Sequence, residues 1–216
     1  MQAKNTRRRR APKPSRRRRE QKVVRQEEIL RAAFEVFAAH GYEAARIDVV
    51  ARRAGIAKGT IYLYFRDKEK HFQAVVRDLI PKRFDILVKA LPGPPTVLLR
   101  ALLGQMYTQV VRNERVPFIL RMLMAESGRF PQLAEIYHRE IIVPGMKAMR
   151  QVLTRGMAGG EFRKTQALEF PQIIAAPALL AMVWQLLFGK RHPLDLDTYM
   201  NAHLEFVLRS LEPGRT

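Results

Sequence analysis

The chain has 216 residues, 47% of them hydrophobic, with 39 lysines and arginines against 20 acids and a formal net charge of +19 at pH 7. That length supports one generous core or two small domains, and the charge calls for a polyanionic partner, either nucleic acid or an anionic membrane surface. The absence of cysteine excludes disulfides, thiolate metal sites and a thiol nucleophile, and fits a reducing cytoplasm.

Residues 1–22 carry two arginine tetrads, Arg7–Arg10 and Arg16–Arg19, separated by Pro12 and Pro14. With so little apolar content the segment is expected to be a disordered basic arm. From Met1 to Arg25 there are twelve lysines and arginines and one acid, Glu20. More than half of the net charge therefore lies in this short arm. Such an arm can follow phosphates or enter a minor groove. Anionic lipid is the weaker alternative, because no apolar face accompanies the charge. The segment also lacks the apolar h-region of a secretory signal.

A helical period begins near Val24, where Ile29, Leu30, Ala33, Phe34, Phe37 and Ala38 form one stripe that His40-Gly41 ends. Ile47, Val50, Ala51 and Ala54 fall at i, i+3, i+4 and i+7 and predict a short second helix. Gly55 is placed to end it with a positive φ. In a third helix Ile61 and Phe65, four residues apart, face the core. Its opposite side carries Gly59 and Leu63 flanked by Thr60 and Tyr62, with Lys58 and Tyr64 nearer the rim. Two short helices joined by a glycine turn, the second showing hydroxyls and cations outward, read as a helix-turn-helix with its recognition helix. Helix–glycine–helix patterns also serve as plain packing in all-α proteins. The basic composition is what favours DNA.

The segment Gly41–Phe72, GYEAARIDVVARRAGIAKGTIYLYFRDKEKHF, resembles the DNA-binding domain of the tetracycline-repressor (TetR/AcrR) family. The Gly41-Tyr42 turn, Ala51, Ala54-Gly55-Ile56, Lys58 through Tyr62, Tyr64-Phe65 and Lys68-Glu69 carry the likeness, which extends over about residues 23–83. It implies an all-α fold: an N-terminal three-helix helix-turn-helix domain at 23–83, then a C-terminal helical bundle over 84–216 for ligand binding and dimerisation. Carried over position by position, it implies DNA contacts by Lys58, Thr60, Tyr62, Tyr64 and Lys68. Gly59 lets the backbone approach the duplex, the tyrosine hydroxyls are expected on phosphates, and Leu63 suits a thymine methyl. Arg46 and Ala57 stand where the family usually has Ser or Thr at a helix start. Each departure removes a cap worth about 1 kcal/mol, and Arg46 is expected to reach phosphate with its guanidinium instead.

Asp67 is placed to cap a fourth helix with Phe72, Val75, Val76, Leu79 and Ile80 facing inward. Pro81 kinks or restarts it, and Phe84 to Leu91 continue the pattern until Pro92-Gly93-Pro94-Pro95 stops it. Beyond lie four or five helices and no convincing strand. One is capped by Thr96, one runs over about Val116–Ser127, and a long one from Phe130-Pro131 to about Arg155 is bent at Pro144. After a loop at Gly156–Gly160 come two strongly apolar segments, about residues 168–188 and 198–211, the second capped by Asp195 or Asp197. Packing within one chain can bury them, but the family resemblance implies that they pair with their copies in a homodimer. The run Ile173–Trp184 contains Pro177 and is shorter than the roughly 18–20 residues of a spanning helix, so no membrane partner is expected.

The five histidines, at 40, 71, 138, 192 and 203, show no metal-binding spacing. No phosphate loop or nucleophile elbow is present either, so neither catalysis, metal nor cofactor is expected. Glu126 and Tyr137-His138 are available as polar members of a cavity, although lone polar residues on helices are commonly solvated or structurally paired. Met106, Tyr107, Phe118, Met122, Tyr137, Met146 and Trp184 are large side chains that ordinary core packing would explain. The family resemblance implies an inducer pocket in this domain, and these seven are its expected lining. The resulting reading is a dimeric repressor on double-stranded DNA, released from a palindromic operator by a small-molecule inducer. The alternative is a sequence-independent, nucleoid-type protein driven by its basic arm.

Overall fold

The computed structural model of the chain describes residues 16–79 and 93–213, and every regular element in them is helical. Helix α1, Arg16–Ala44, begins inside the expected arm. Arg, Glu, Gln and Lys are all good helix formers, and no proline follows Pro14 to interrupt them. Residues 1–15 lie outside the described part. The chain kinks at Gly41, whose φ of 73° is a left-handed value that a side chain would strain. Helices α2, Ile47–Arg53, and α3, Lys58–Tyr62, follow. Between them Gly55 takes φ 65°, and the Ile56 N–H donates back to the Ala51 carbonyl at 3.0 Å. Arg46 and Ala57 are the N-caps of these two helices, and neither side chain bonds to backbone. Asp67 does cap α4, Lys68–Asp78, accepting from the Lys70 N–H at 2.8 Å. The expected continuation through Phe84–Leu91 falls outside the described residues.

Helix α5, Pro95–Met106, starts without the expected Thr96 cap. Pro94 is its N-cap and Pro95 its first residue, a position where a missing N–H costs nothing. A π-turn, Tyr107–Val111, leads to α6, Val116–Glu126, and then to α7, Pro131–Tyr137. The bend expected at Pro144 takes the form of a second π-turn, His138–Ile142, continuous with α8, Val143–Ala158. Pro144 has no N–H to complete the α-ladder at that point, and the ladder widens ahead of it. The segment expected from Leu168 becomes helical only at Gln172. Thr165 caps a short 3-10 turn, Gln166–Leu168, and Pro171 precedes α9, Gln172–Phe188. Asp195, rather than Asp197, caps α10, Leu196–Leu211, accepting from the Asp197 and Thr198 N–H groups.

The first core runs across both parts of the chain. The first core gathers α1 to α4, through Ile29, Phe37, Ile61, Phe72 and Val76, together with Ile119, Met122 and Leu123 of α6 and Leu133 and Ile136 of α7. A second joins α5, α8 and α10 through Leu99, Leu103, Val152, Leu153 and Val207. A third packs Tyr107, Val111 and Val116 on Ala178, Ala181 and Met182 of α9. Two buried polar side chains there are matched to each other. His203 Nε2 donates to the Ile174 carbonyl at 2.9 Å, which leaves Nδ1 to accept from the Tyr107 hydroxyl at 2.9 Å. Burial pushes the Tyr107 phenol up and the His203 imidazole down.

His71 is different. It is fully buried in the α4 face of the first core, 4.3 Å from the Phe65 ring, and neither ring nitrogen has a partner among the described residues. Burial pulls its pKa from 6.5 down to about 4, so the folded ring is neutral. Between those two values the unfolded chain binds a proton that the folded chain does not, and this component of stability is lost as pH falls. His71→Leu is expected to raise stability by about 1 kcal/mol, since two unsatisfied polar atoms leave the core. It is also expected to remove the part of the acid sensitivity that lies between pH 6.5 and 4. Urea unfolding at neutral and acid pH measures both effects.

Candidate nucleic-acid interface

Helix α3 divides its residues as a reading helix must. Ile61 is wholly buried and Phe65, just past the helix, is nearly so. These two hold α3 against α1, α2 and α4, and the remaining side chains face outward. Lys58 and Gly59 are exposed, with nothing within 4 Å of where a Gly59 side chain would start. Thr60 is half-buried and Tyr62 is exposed. Leu63, the C-cap residue, is 81% exposed although Ile61 and Phe65, two residues to either side, are buried. Tyr64 packs half-buried on the first core beside Phe65.

Two residues expected on DNA have protein partners already. Arg46 gives both ends of its guanidinium to Asp48, Nε to Oδ1 and Nη2 to Oδ2, each at 3.1 Å. Arg52 donates to the same carboxylate at 3.3 Å. Desolvation raises the Asp48 carboxyl, but the hydrogen bond and charge of Arg46 and the charge of Arg52 outweigh it and leave the pKa below its ordinary value. The second is Lys68. Its ammonium donates to the Glu43 carbonyl at 2.7 Å and lies 4.8 Å above the Tyr42 ring, and burial lowers its pKa. It fastens the corner between α1 and α2. Arg53, which the sequence pattern did not single out, is paired with Glu35 of α1.

Glu126 is structurally paired. From the end of α6 its two oxygens accept from the Tyr42 N–H at 2.7 Å and the Glu43 N–H at 2.9 Å. Glu140, in the second π-turn, accepts from Gln73 at 2.7 Å and from Arg77 at 2.6 Å on α4. The Arg77 hydrogen bond leads the effects that hold the Glu140 carboxyl at about 2. Nothing in the sequence marks these carboxylates, because their partners are 84 and 67 residues away.

The seven residues expected to line a ligand pocket do not converge. Met106 and Tyr107 belong to the third core, whereas Met122 and Tyr137 pack with the first. Phe118 is partly exposed, with its edge against Phe34. Met146 is half-buried on α8. Trp184 is exposed on α9, its indole N–H donating to the His192 carbonyl at 2.9 Å. Only Phe118 lines an open groove of about 1420 Å³ between the start of α6 and the end of α9. Leu187 and Phe188 add apolar surface there, and Arg121, Lys190 and Arg191 stand in its rim with Glu114, Asp195 and the paired Arg112 and Asp197. Among the described residues no group of acids and histidines could hold a metal, and no helix is long and apolar enough to cross a membrane.

Residues 29–75 match the family model described as bacterial regulatory proteins, tetR family, and residues 94–202 match that of the tetracyclin repressor-like C-terminal domain. The fatty acid metabolism regulator protein of Bacillus subtilis (strain 168) is 23% identical over 146 residues, 67% of this chain and 74% of that protein. The HTH-type transcriptional regulator BetI of Escherichia coli O45:K1 (strain S88 / ExPEC) is 34% identical over 142 residues, 62% of this chain and 73% of that one. Among solved structures, the transcriptional regulator FadR from Bacillus subtilis in complex with stearoyl-CoA superposes with a TM-score of 0.70 at 21% identity, covering 86% of this chain and 99% of that one. NalD, the secondary repressor of the MexAB-OprM multidrug efflux pump in Pseudomonas aeruginosa, gives 0.69 at 21% identity, over 91% and 100%. At these identities the structural likeness is one of fold.

The Asp48 pairing has a direct consequence. Asp48→Asn releases Arg46 and Arg52 and removes a negative charge next to the reading helix. DNA affinity is expected to rise roughly threefold at low salt, with a log–log salt slope steeper by about one. Titrations at several salt concentrations measure this.

Proposed function

The chain belongs to the tetR family of bacterial regulatory proteins, and from that premise we propose that it binds a specific palindromic operator as a homodimer and is a repressor released by a small molecule. One observation carries the proposal. A helix pinned by Ile61 and Phe65 presents Lys58, Gly59, Thr60, Tyr62 and Leu63 outward together. Lys58 and Thr60 reach base edges or the adjoining phosphates, and the Tyr62 and Tyr64 hydroxyls bind phosphate. Gly59 admits the backbone close to the duplex, and Leu63 meets a thymine methyl. Arg46 joins the phosphate contacts by exchanging Asp48 for a phosphate oxygen, and Lys68 acts from behind by holding the corner.

Dimerisation is supported by the outer face of α9 and α10. Ile173, Leu180, Trp184 and Leu187 lie at intervals of seven, four and three along α9, and all are exposed. Phe206 on α10 is 72% exposed. An apolar stripe of this kind on a soluble chain is the mark of an interface, and a two-fold pairing through it sets two α3 helices on successive major grooves. The effector site is the groove beside this face. Its apolar floor and mixed polar rim suit an amphipathic ligand, and the solved FadR relative holds stearoyl-CoA. A ligand acts by preferring one spacing of the two reading helices over another.

Selection of binding sites from random DNA is expected to return inverted half-sites. Recovery of sequences with no preferred order would overturn the proposal. Removing residues 1–15, which leaves α1 whole, is expected to weaken binding and flatten its salt dependence while keeping the same selected site. Lys58→Ala and Leu63→Ala are expected to relax the preference at individual base pairs, with losses of about 1–3 kcal/mol at each contacted pair. Competition titrations with single-base variants of the site measure these losses.

A further inference from the structure

We propose that Glu126 is a positioning residue for DNA binding: a carboxylate on α6 that grips the α1–α2 corner and sets the angle at which the reading unit is carried. The inference rests on the operator-binding reading above and concerns how its two half-sites are spaced. Glu126 accepts from two consecutive backbone N–H groups, those of Tyr42 and Glu43, at 2.7 and 2.9 Å. Those groups directly follow Gly41, whose φ of 73° breaks the regular course of α1. A Cβ at Gly41 would come within 2.5 Å of Glu126 Oε1. Glycine is therefore needed at this corner for the carboxylate to seat as well as for its φ. The surrounding charges close the same corner. Lys68 donates to the Glu43 carbonyl from α4, and Arg129, just beyond α6, pairs with the Glu43 side chain.

The helix that carries Glu126 is bound on two sides. Ile119, Met122 and Leu123 enter the core of the reading unit, while Val116 and Leu120 pack with the α9 core. Apolar packing resists separation but tolerates small rotation and sliding, because it has no direction. Two charge-assisted hydrogen bonds to adjacent amides are directional and fix the corner in register with α6. α9 carries the proposed dimer face, so the angle between α6 and the corner decides how far apart two reading helices stand. Glu140 holds α4 from the other side, and the reading unit is thus tied at two separate points.

The test uses the full chain and operators built from the selected half-sites, with zero, one or two base pairs added to or removed from the spacer. For the unaltered protein, affinity is expected to fall steeply on either side of one spacer length. Glu126→Gln keeps one acceptor oxygen and turns an NH2 group on an N–H. Glu126→Ala removes the grip altogether. Both variants are expected to lose about tenfold in affinity for the best spacer and to bind the flanking spacers nearly as well. Affinity for an isolated half-site is expected to stay unchanged. Gly41→Ala, which displaces the carboxylate from the other side, is expected to broaden the profile in the same way. An unchanged spacer profile alongside a lowered melting temperature would reduce Glu126 to a stabilising contact and overturn the proposal. So would a fall in half-site affinity with the profile intact. Failure of the unaltered protein to prefer any inverted repeat would instead strike the operator reading itself.

Discussion

The interaction on which the rest of the structure depends is the completion of the N-terminal core by α6 and α7. Helices α1 to α4 alone span few residues, and a unit of that size buries too little apolar surface to be more than marginally stable. Ile119, Met122, Leu123, Leu133 and Ile136 close its open side. The reading unit and part of the C-terminal region are thus one packed body. A change in how α6 sits reaches the corner of the helix-turn-helix through this packing and through the Glu126 hydrogen bonds.

Around that body, charges divide into those that hold and those left to act. Glu126, Glu140, Lys68 and Arg77 are spent on joining helices, and each meets backbone or a side chain of another element. Lys58 remains exposed on the reading face, and Arg46 and Arg52 share one carboxylate there. Exposed ion pairs of this sort contribute little to folding, so exchanging Asp48 for phosphate costs the fold little. A basic chain can in this way keep its cations organised until a polyanion arrives.

The exposed face of α9 and α10 is apolar. Ile173, Leu180, Trp184 and Leu187 on α9 and Phe206 on α10 stand outside all three cores, and the groove with Phe118, Phe188 and Arg121 opens beside them. The groove and the exposed apolar stripe share Leu187.

By itself the sequence determined the elements whose causes are local. Periodicity of Ile29 to Ala38 and of Ile47 to Ala54, the glycines at 41 and 55, and the Asp67 cap all act within a few residues, and the helices follow them. The outward set on α3 was legible for the same reason, since four-residue spacing of Ile61 and Phe65 fixes what lies opposite. Tertiary structure decided everything that joins distant parts of the chain. No spacing rule pairs Glu126 with Tyr42, turns Lys68 inward onto Glu43, or buries His71 without a partner. The same holds for the seven large side chains expected to share one cavity. Size and softness made them eligible, but Met122 went to the first core, Tyr107 to the third and Trp184 to the surface. Which core a helix face joins depends on how the helices cross, and that is set by packing among residues far apart in sequence.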